Sequence, residues 1–210
     1  MTAMAPSAHR PAPAHRPPAG LRERKKLKTR AAIRRALYRL VAEQGYEATT
    51  IEQIAAGAEV SPSTVSRYFA AKEDIVLTDE TDTAMVEMLR RRPAGEPPLR
   101  SLRFVVTHAV RSLLEEDPDA MCLRATLLVE VPAVRARLAE TTAETSLLLS
   151  RVLAERTGRD AGDLEVRVFT AAVMAALREV TLHWAERGRR EDLAALLDRA
   201  LDTLGDGLAP

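Results

Sequence analysis

Aromatic residues are scarce, with Phe, Trp and Tyr making up 3% of 210 residues. That excludes a stacking platform for single-stranded nucleic acid, which needs several exposed rings along one groove. Cysteine is nearly absent. Cys122 stands alone, so no intrachain disulfide can form, and a reducing, cytoplasmic setting is expected. No apolar run reaches the roughly 20 residues of a membrane span, and the N-terminal stretch lacks the apolar core of a secretory signal. No membrane partner is therefore expected. Catalytic signatures are missing too: no H-E-x-x-H, G-x-S-x-G, Walker or dinucleotide-binding glycine pattern occurs. The histidines, His9, His15, His108 and His183, are scattered, and Cys122 has no nucleophile motif around it. No catalytic residue, cofactor or metal site is assigned.

What is present is charge, unevenly placed. The formal total is only +1, but residues 1–35 carry +9 and the remainder −8. Such asymmetry points to a polyanionic partner at one end. Residues 1–20 hold five of the twelve prolines and no Val, Ile, Leu or Phe, so they read as a disordered basic arm. The rest has helical periodicity, and the expected fold is all-α with about nine helices.

Helix 1 is expected over 21–44, with an apolar stripe of Ile33, Leu37, Leu40 and Val41 and a stop at Gly45. Thr50 and Gln53 form a capping-box pattern that starts a short helix over 51–57. Ser61-Pro62 then starts a two-turn helix over 62–69. A fourth helix is expected from Lys72 to about Arg92, ended by the Pro93–Pro98 breaker segment. Five more follow, at about 98–116, 119–130, 132–157, 163–187 and 190–205.

Two short helices joined by a tight turn, the second polar outside, form a helix-turn-helix. The major groove admits one helix, and side chains near its N-terminus read bases. Ser63, Thr64 and Arg67 occupy those positions, with Ser61 and Ser66 beside them. The basic cluster of helix 1, Lys28 included, is placed to neutralise phosphates, and Lys72 to clamp another.

The stretch from Thr49 to Asp74, with Thr-Thr-Ile-Glu-Gln-Ile-Ala, Val-Ser-Pro-Ser-Thr and Tyr-Phe-Ala-Ala-Lys-Glu, resembles the DNA-binding part of TetR-type transcriptional regulators. The resemblance implies a homodimeric repressor that leaves its operator on binding a small molecule. It implies that Thr49 or Thr50 contacts phosphate, that Ser63, Thr64 and Arg67 face the groove, and that Tyr68 and Lys72 touch the DNA backbone. There are departures: Glu59 stands where the turn usually has Gly, Ser66 where Tyr is frequent, and Ala71 where a Ser cap is common. Three parts are expected: the arm at 1–20, a three-helix DNA-binding domain at 21–75, and a ligand-binding and dimerisation bundle at 76–210.

In the bundle, Met85, Met88, Leu89, Phe104, Val105, His108, Cys122, Thr126 and Leu149 are candidates to line an effector pocket, Met suiting an adaptable apolar wall. Phe169, Ala172, Val173, Ala176, Leu177, Val180 and Trp184, with Leu193, Leu197 and Leu201, form stripes expected to make a two-fold dimer contact. The stretch 122–138 is similar to regulators with acyl-coenzyme-A-like effectors, including the mycofactocin-system regulator. That likeness implies an apolar tunnel, with Arg124, Arg135 or Arg137 meeting the phosphates. Two other readings stay open: a helical small-molecule carrier or enzyme with an incidental basic end, and a sequence-neutral architectural DNA protein.

Overall fold

The computed structural model describes Gly20–Thr78 and residues 81–207, with the backbone alone at 21–23 and 81–83. The expected arm falls outside the described residues, Gly20 excepted. Ten helices occur among those described: α1 (Leu21–Gln44), α2 (Ile51–Gly57), α3 (Pro62–Tyr68), α4 (Lys72–Leu77), α5 (Thr81–Arg90), α6 (Pro98–Glu116), α7 (Pro118–Glu130), α8 (Pro132–Thr157), α9 (Leu164–Glu186) and α10 (Leu193–Gly205).

The local signals act as their chemistry dictates. The Thr50 hydroxyl accepts from Gln53 N–H, and the Gln53 side chain accepts from Thr50 N–H, closing both halves of the capping box. The Ser61 hydroxyl accepts from Thr64 N–H, and Pro62 takes the first helical position, where no amide hydrogen is needed. Between α2 and α3, Val60 N–H reaches back to Ala55 C=O, so the turn closes as a Schellman motif. Glu59 occupies the left-handed position at φ 56°, where glycine would be unstrained.

One expected helix divides in two. The stretch from Lys72 to Arg92 breaks after Leu77, and Thr78 is extended. The cause is tertiary. Arg34 of α1 donates to Thr78 C=O at 2.6 Å, and Tyr38 donates to Val76 C=O at 3.1 Å. Those carbonyls find their partners on α1. The count of ten rather than nine follows.

Packing joins the N-terminal helices to the middle of the chain. Ile33, Leu37, Ile54, Val65 and Ile75 form one core, which continues through Leu77 and takes in Leu127 and Leu128 of α7, Val134 of α8 and Val131 between them. The α1–α4 head therefore shares its hydrophobic interior with the bundle. Two further cores lie inside the bundle. One is built around Leu89, Leu102, Val105, Val152 and Leu201, the other around Val180, Trp184, Leu193 and Leu197. Arg156 pins the Pro-rich connection by donating to the carbonyls of Leu89, Arg92 and Pro93. No helix among the described residues is long and apolar enough to cross a membrane.

Candidate nucleic-acid interface and effector cavity

The N-terminal end of α1 and the outer face of α3 meet. Lys25, Lys26 and Thr29 from α1, with Val60, Thr64, Arg67 and Tyr68, line one open groove. Ammonium groups thus lie beside Thr64, Arg67 and Tyr68 of the short helix. Ser61, Ser63, Ser66 and Arg67 are exposed. The Ser61 hydroxyl contacts both Ser63 Oγ and Thr64 Oγ1 at 2.9 Å, and Ser66 Oγ donates to Pro62 C=O at 3.3 Å. The Arg67 guanidinium carbon lies 5.6 Å from the Tyr68 ring centroid, and its Nη2 donates weakly to Thr64 at 3.5 Å. Lys28 is exposed on α1 but is not among the groove-lining residues.

Two expected backbone contacts are occupied otherwise. Thr49 is 1% exposed and donates its hydroxyl to Gly45 C=O, so Thr50 alone presents the start of α2 to the surface. Lys72 Nζ donates to the carbonyls of Tyr46 at 2.8 Å and Thr49 at 3.0 Å, and lies 3.9 Å from the Tyr46 ring centroid. It locks the α1–α2 connection instead of standing free as a phosphate clamp. Tyr46 in turn donates to Glu73 at 2.8 Å. Burial first, then the Glu73 contacts, push the Tyr46 phenol far above its ordinary value.

A cavity of about 440 Å³ lies between head and bundle, within the roughly 300–1,000 Å³ typical of ligand sites. Of the candidate pocket residues, Met85, Val105 and Leu149 line it, with Leu102, Val106, Met174 and Leu177. Arg30, Arg124 and Arg137 bring positive charge, Asp74 and Glu144 negative, and Thr141, Thr142 and Thr145 hydroxyls. Tyr68 lines this cavity and the groove alike.

The other expected pocket residues lie elsewhere. Leu89 is wholly buried in the bundle core, with Met88 packed against it. Phe104 and His108 stack on the outer face of α6, with the Arg92 guanidinium 4.1 Å from the Phe104 ring centroid. Cys122 is exposed, and its carbonyl and the Thr126 hydroxyl accept from Arg189. Arg135 donates to the carbonyls of Leu128 and Val129 and does not line the cavity. Arg137 donates to Asp74 and Glu140, each at 2.6 Å. Those bonds hold its guanidinium above the ordinary arginine value, the Asp74 bond most.

The expected dimer stripe is also corrected. Val173, Val180, Trp184, Leu193, Leu197 and Leu201 are buried in their own chain, where α9 and α10 pack on α6 and α8, so they have no area left for a partner. Phe169, Ala172, Ala176 and Leu177 are half-buried. The outward apolar face of α9 is Leu164 and Val168, at 71% and 58% exposed, followed by Ala171 and Ala175, and Leu147 and Leu148 are exposed on neighbouring α8.

Comparison with known proteins places each half of the chain. Residues 33–78 match the family description "Bacterial regulatory proteins, tetR family", and residues 96–209 match "MftR C-terminal domain". The chain is 36% identical over 195 residues to the HTH-type transcriptional regulator TcmR of Streptomyces glaucescens, covering 88% of this chain and 86% of that protein. Among solved structures it is similar to FadR of Thermus thermophilus, a TetR-family transcriptional repressor in complex with lauroyl-CoA. That match has a TM-score of 0.56 and 27% identity, over 86% of this chain and 95% of that one. FadR of Bacillus halodurans shares the fold, with a TM-score of 0.56 and 23% identity over 86% and 96% of the two chains.

Proposed function

The chain belongs to the TetR family of bacterial regulatory proteins, and we propose that it binds a near-palindromic operator as a homodimeric repressor and leaves it when an effector fills the cavity between head and bundle. The observation that carries this reading is the groove, where Lys25 and Lys26 flank Thr64, Arg67 and Tyr68. The ammonium groups supply sequence-independent affinity, and the α3 side chains supply discrimination. The head of residues 21–75 reads DNA, while 76–210 holds effector and partner. Ser63, Thr64 and Arg67 contact base edges. Thr50, Ser61, Ser66, Tyr68 and Lys28 contact the sugar-phosphate backbone.

Arg67→Ala is expected to cost about 1–3 kcal/mol of operator affinity and to relax preference at the base it reads. Titrating duplexes with single base changes checks this. An unchanged ranking of those duplexes would remove Arg67 from base reading.

The subunits meet through Leu164, Val168, Ala171 and Ala175 of α9, with exposed leucines of α8 alongside. Small residues let two helices approach closely, and a two-fold contact sets this same patch of one subunit against that of the other. Val168→Glu places like charges opposite each other and is expected to shift sedimentation toward monomer. A variant that stays dimeric at micromolar concentration places the contact elsewhere.

The effector is an apolar or acyl-coenzyme-A-like molecule. Support comes from the apolar residues and the arginines that line the cavity together, and from the lauroyl-CoA held by the Thermus relative. The reading assigns no catalytic step to the chain.

A further inference from the structure

Asp74 is the only acidic side chain buried to this degree among the described residues, at 6% exposure. It is held from two sides. Arg137 Nε donates to Oδ1 at 2.6 Å, and Ala71 N–H donates to Oδ2 at 3.0 Å. Ala71 is the cap before α4, two residues after Phe69, the cap behind α3. The ion pair thus ties α8 of the bundle to the joint behind the groove-reading helix. Both partners line the cavity, and so does Tyr68, which also forms the DNA groove. Arg137 makes its bonds through Nε and Nη1, and Nη2 takes no hydrogen-bond partner among the described residues.

A guanidinium binds carboxylates and phosphates through the same fork geometry. An anion entering the cavity presents to Arg137 what Asp74 presents now. An uncharged apolar ligand does not. If Arg137 turns to a ligand, Asp74 is left charged and nearly dry, which is strongly unfavourable unless the segment moves toward water. That segment is the α3–α4 joint.

We propose that the effector is an amphipathic anion, with an apolar body and one carboxylate or phosphate end, and that this end takes Arg137 from Asp74 and thereby shifts the α3–α4 joint. The proposal rests on the regulator reading above and adds the ligand's charge and the bond it breaks.

The test uses the full chain and a duplex recovered by wild-type selection. The probes are dodecanoate, dodecanoyl-coenzyme A and dodecanol. Dodecanoate or dodecanoyl-coenzyme A should weaken wild-type operator binding about tenfold, a common size for such coupling. Which of the two acts separates a carboxylate from a phosphate end. Dodecanol should have no effect.

Asp74→Asn keeps an acceptor for Ala71 N–H and removes the charge. Without probe it should bind the operator about tenfold more weakly and stop responding, yet bind the active probe more tightly than wild type, since the Asp74 carboxylate no longer competes for Arg137. A head that is merely loosened gives weaker operator binding without tighter probe binding. Arg137→Gln should lose both. Equal action by dodecanol, silence of all three probes, or wild-type operator affinity in Asp74→Asn would each overturn the exchange and leave the regulator reading standing. A wild-type chain that selects no sequence from random duplexes overturns the regulator reading itself.

Discussion

Raising salt from about 50 to about 200 mM should weaken operator binding on the order of a thousandfold. The size follows from charge placement. Lys25, Lys26 and Lys28 are exposed at the N-terminal end of α1, and the first two line the groove beside α3. Three phosphate contacts per protomer make about six per dimer, and each phosphate neutralised adds about 0.9 to the slope of log affinity against log salt. Random duplex should show nearly the same slope with lower affinity, because phosphate contacts carry no sequence information. Replacing Lys25 and Lys26 by Gln should flatten both slopes together, by about two contacts per protomer. Titrations over that salt range check this. A slope near zero would mean that the basic end of α1 does not meet phosphate.

Trp184→Ala should lower folding stability by about 3–5 kcal/mol, in the range for deleting a buried large ring. Trp184 is 5% exposed and packs among Val180, Leu193, Leu196 and Leu197. Its indole N–H donates to Glu191 C=O at 3.0 Å, which fixes the turn between α9 and α10. The substitution leaves a cavity and an unpaired carbonyl. Urea unfolding reads the loss, and native sedimentation separates its cause. The dimer dissociation constant should be little changed in Trp184→Ala and strongly raised in Val168→Glu. The opposite pattern would return Trp184 to the subunit contact.

The helix starts were legible because their causes are local. Thr50 with Gln53, and Ser61 with Pro62, act within three residues of themselves. Glu59 stands where the resemblance has glycine, and only the fold shows that it takes the left-handed φ that glycine adopts without strain. The break after Leu77 was not legible, because the groups that take the carbonyls of Val76 and Thr78 lie about forty residues earlier on α1. Lys72 had the right type and place for a phosphate contact, but only the fold reveals the carbonyls of Tyr46 and Thr49 within its reach.

Helical periodicity also leaves a choice of face. On α6, Leu102, Val105 and Val106 point inward, while Phe104 and His108 form a second stripe pointing out. On α9, the stripe through Val173, Val180 and Trp184 is core, while Leu164, Val168 and Ala171 face outward. On a helix apolar on two sides, spacing does not say which stripe the core of its own chain takes. The arginines of 122–138 were legible as a group. Only the fold separates Arg124 and Arg137 at the cavity from Arg135, which caps α7 carbonyls.

Whether the chain reads DNA sequence is decided by selecting bound duplexes from random DNA with the full chain. One near-palindromic site should be enriched, with half-sites one helical turn apart, about 34–36 Å between recognition helices. Recovery of duplexes with no shared sequence, at affinities that vary only with salt, would contradict it.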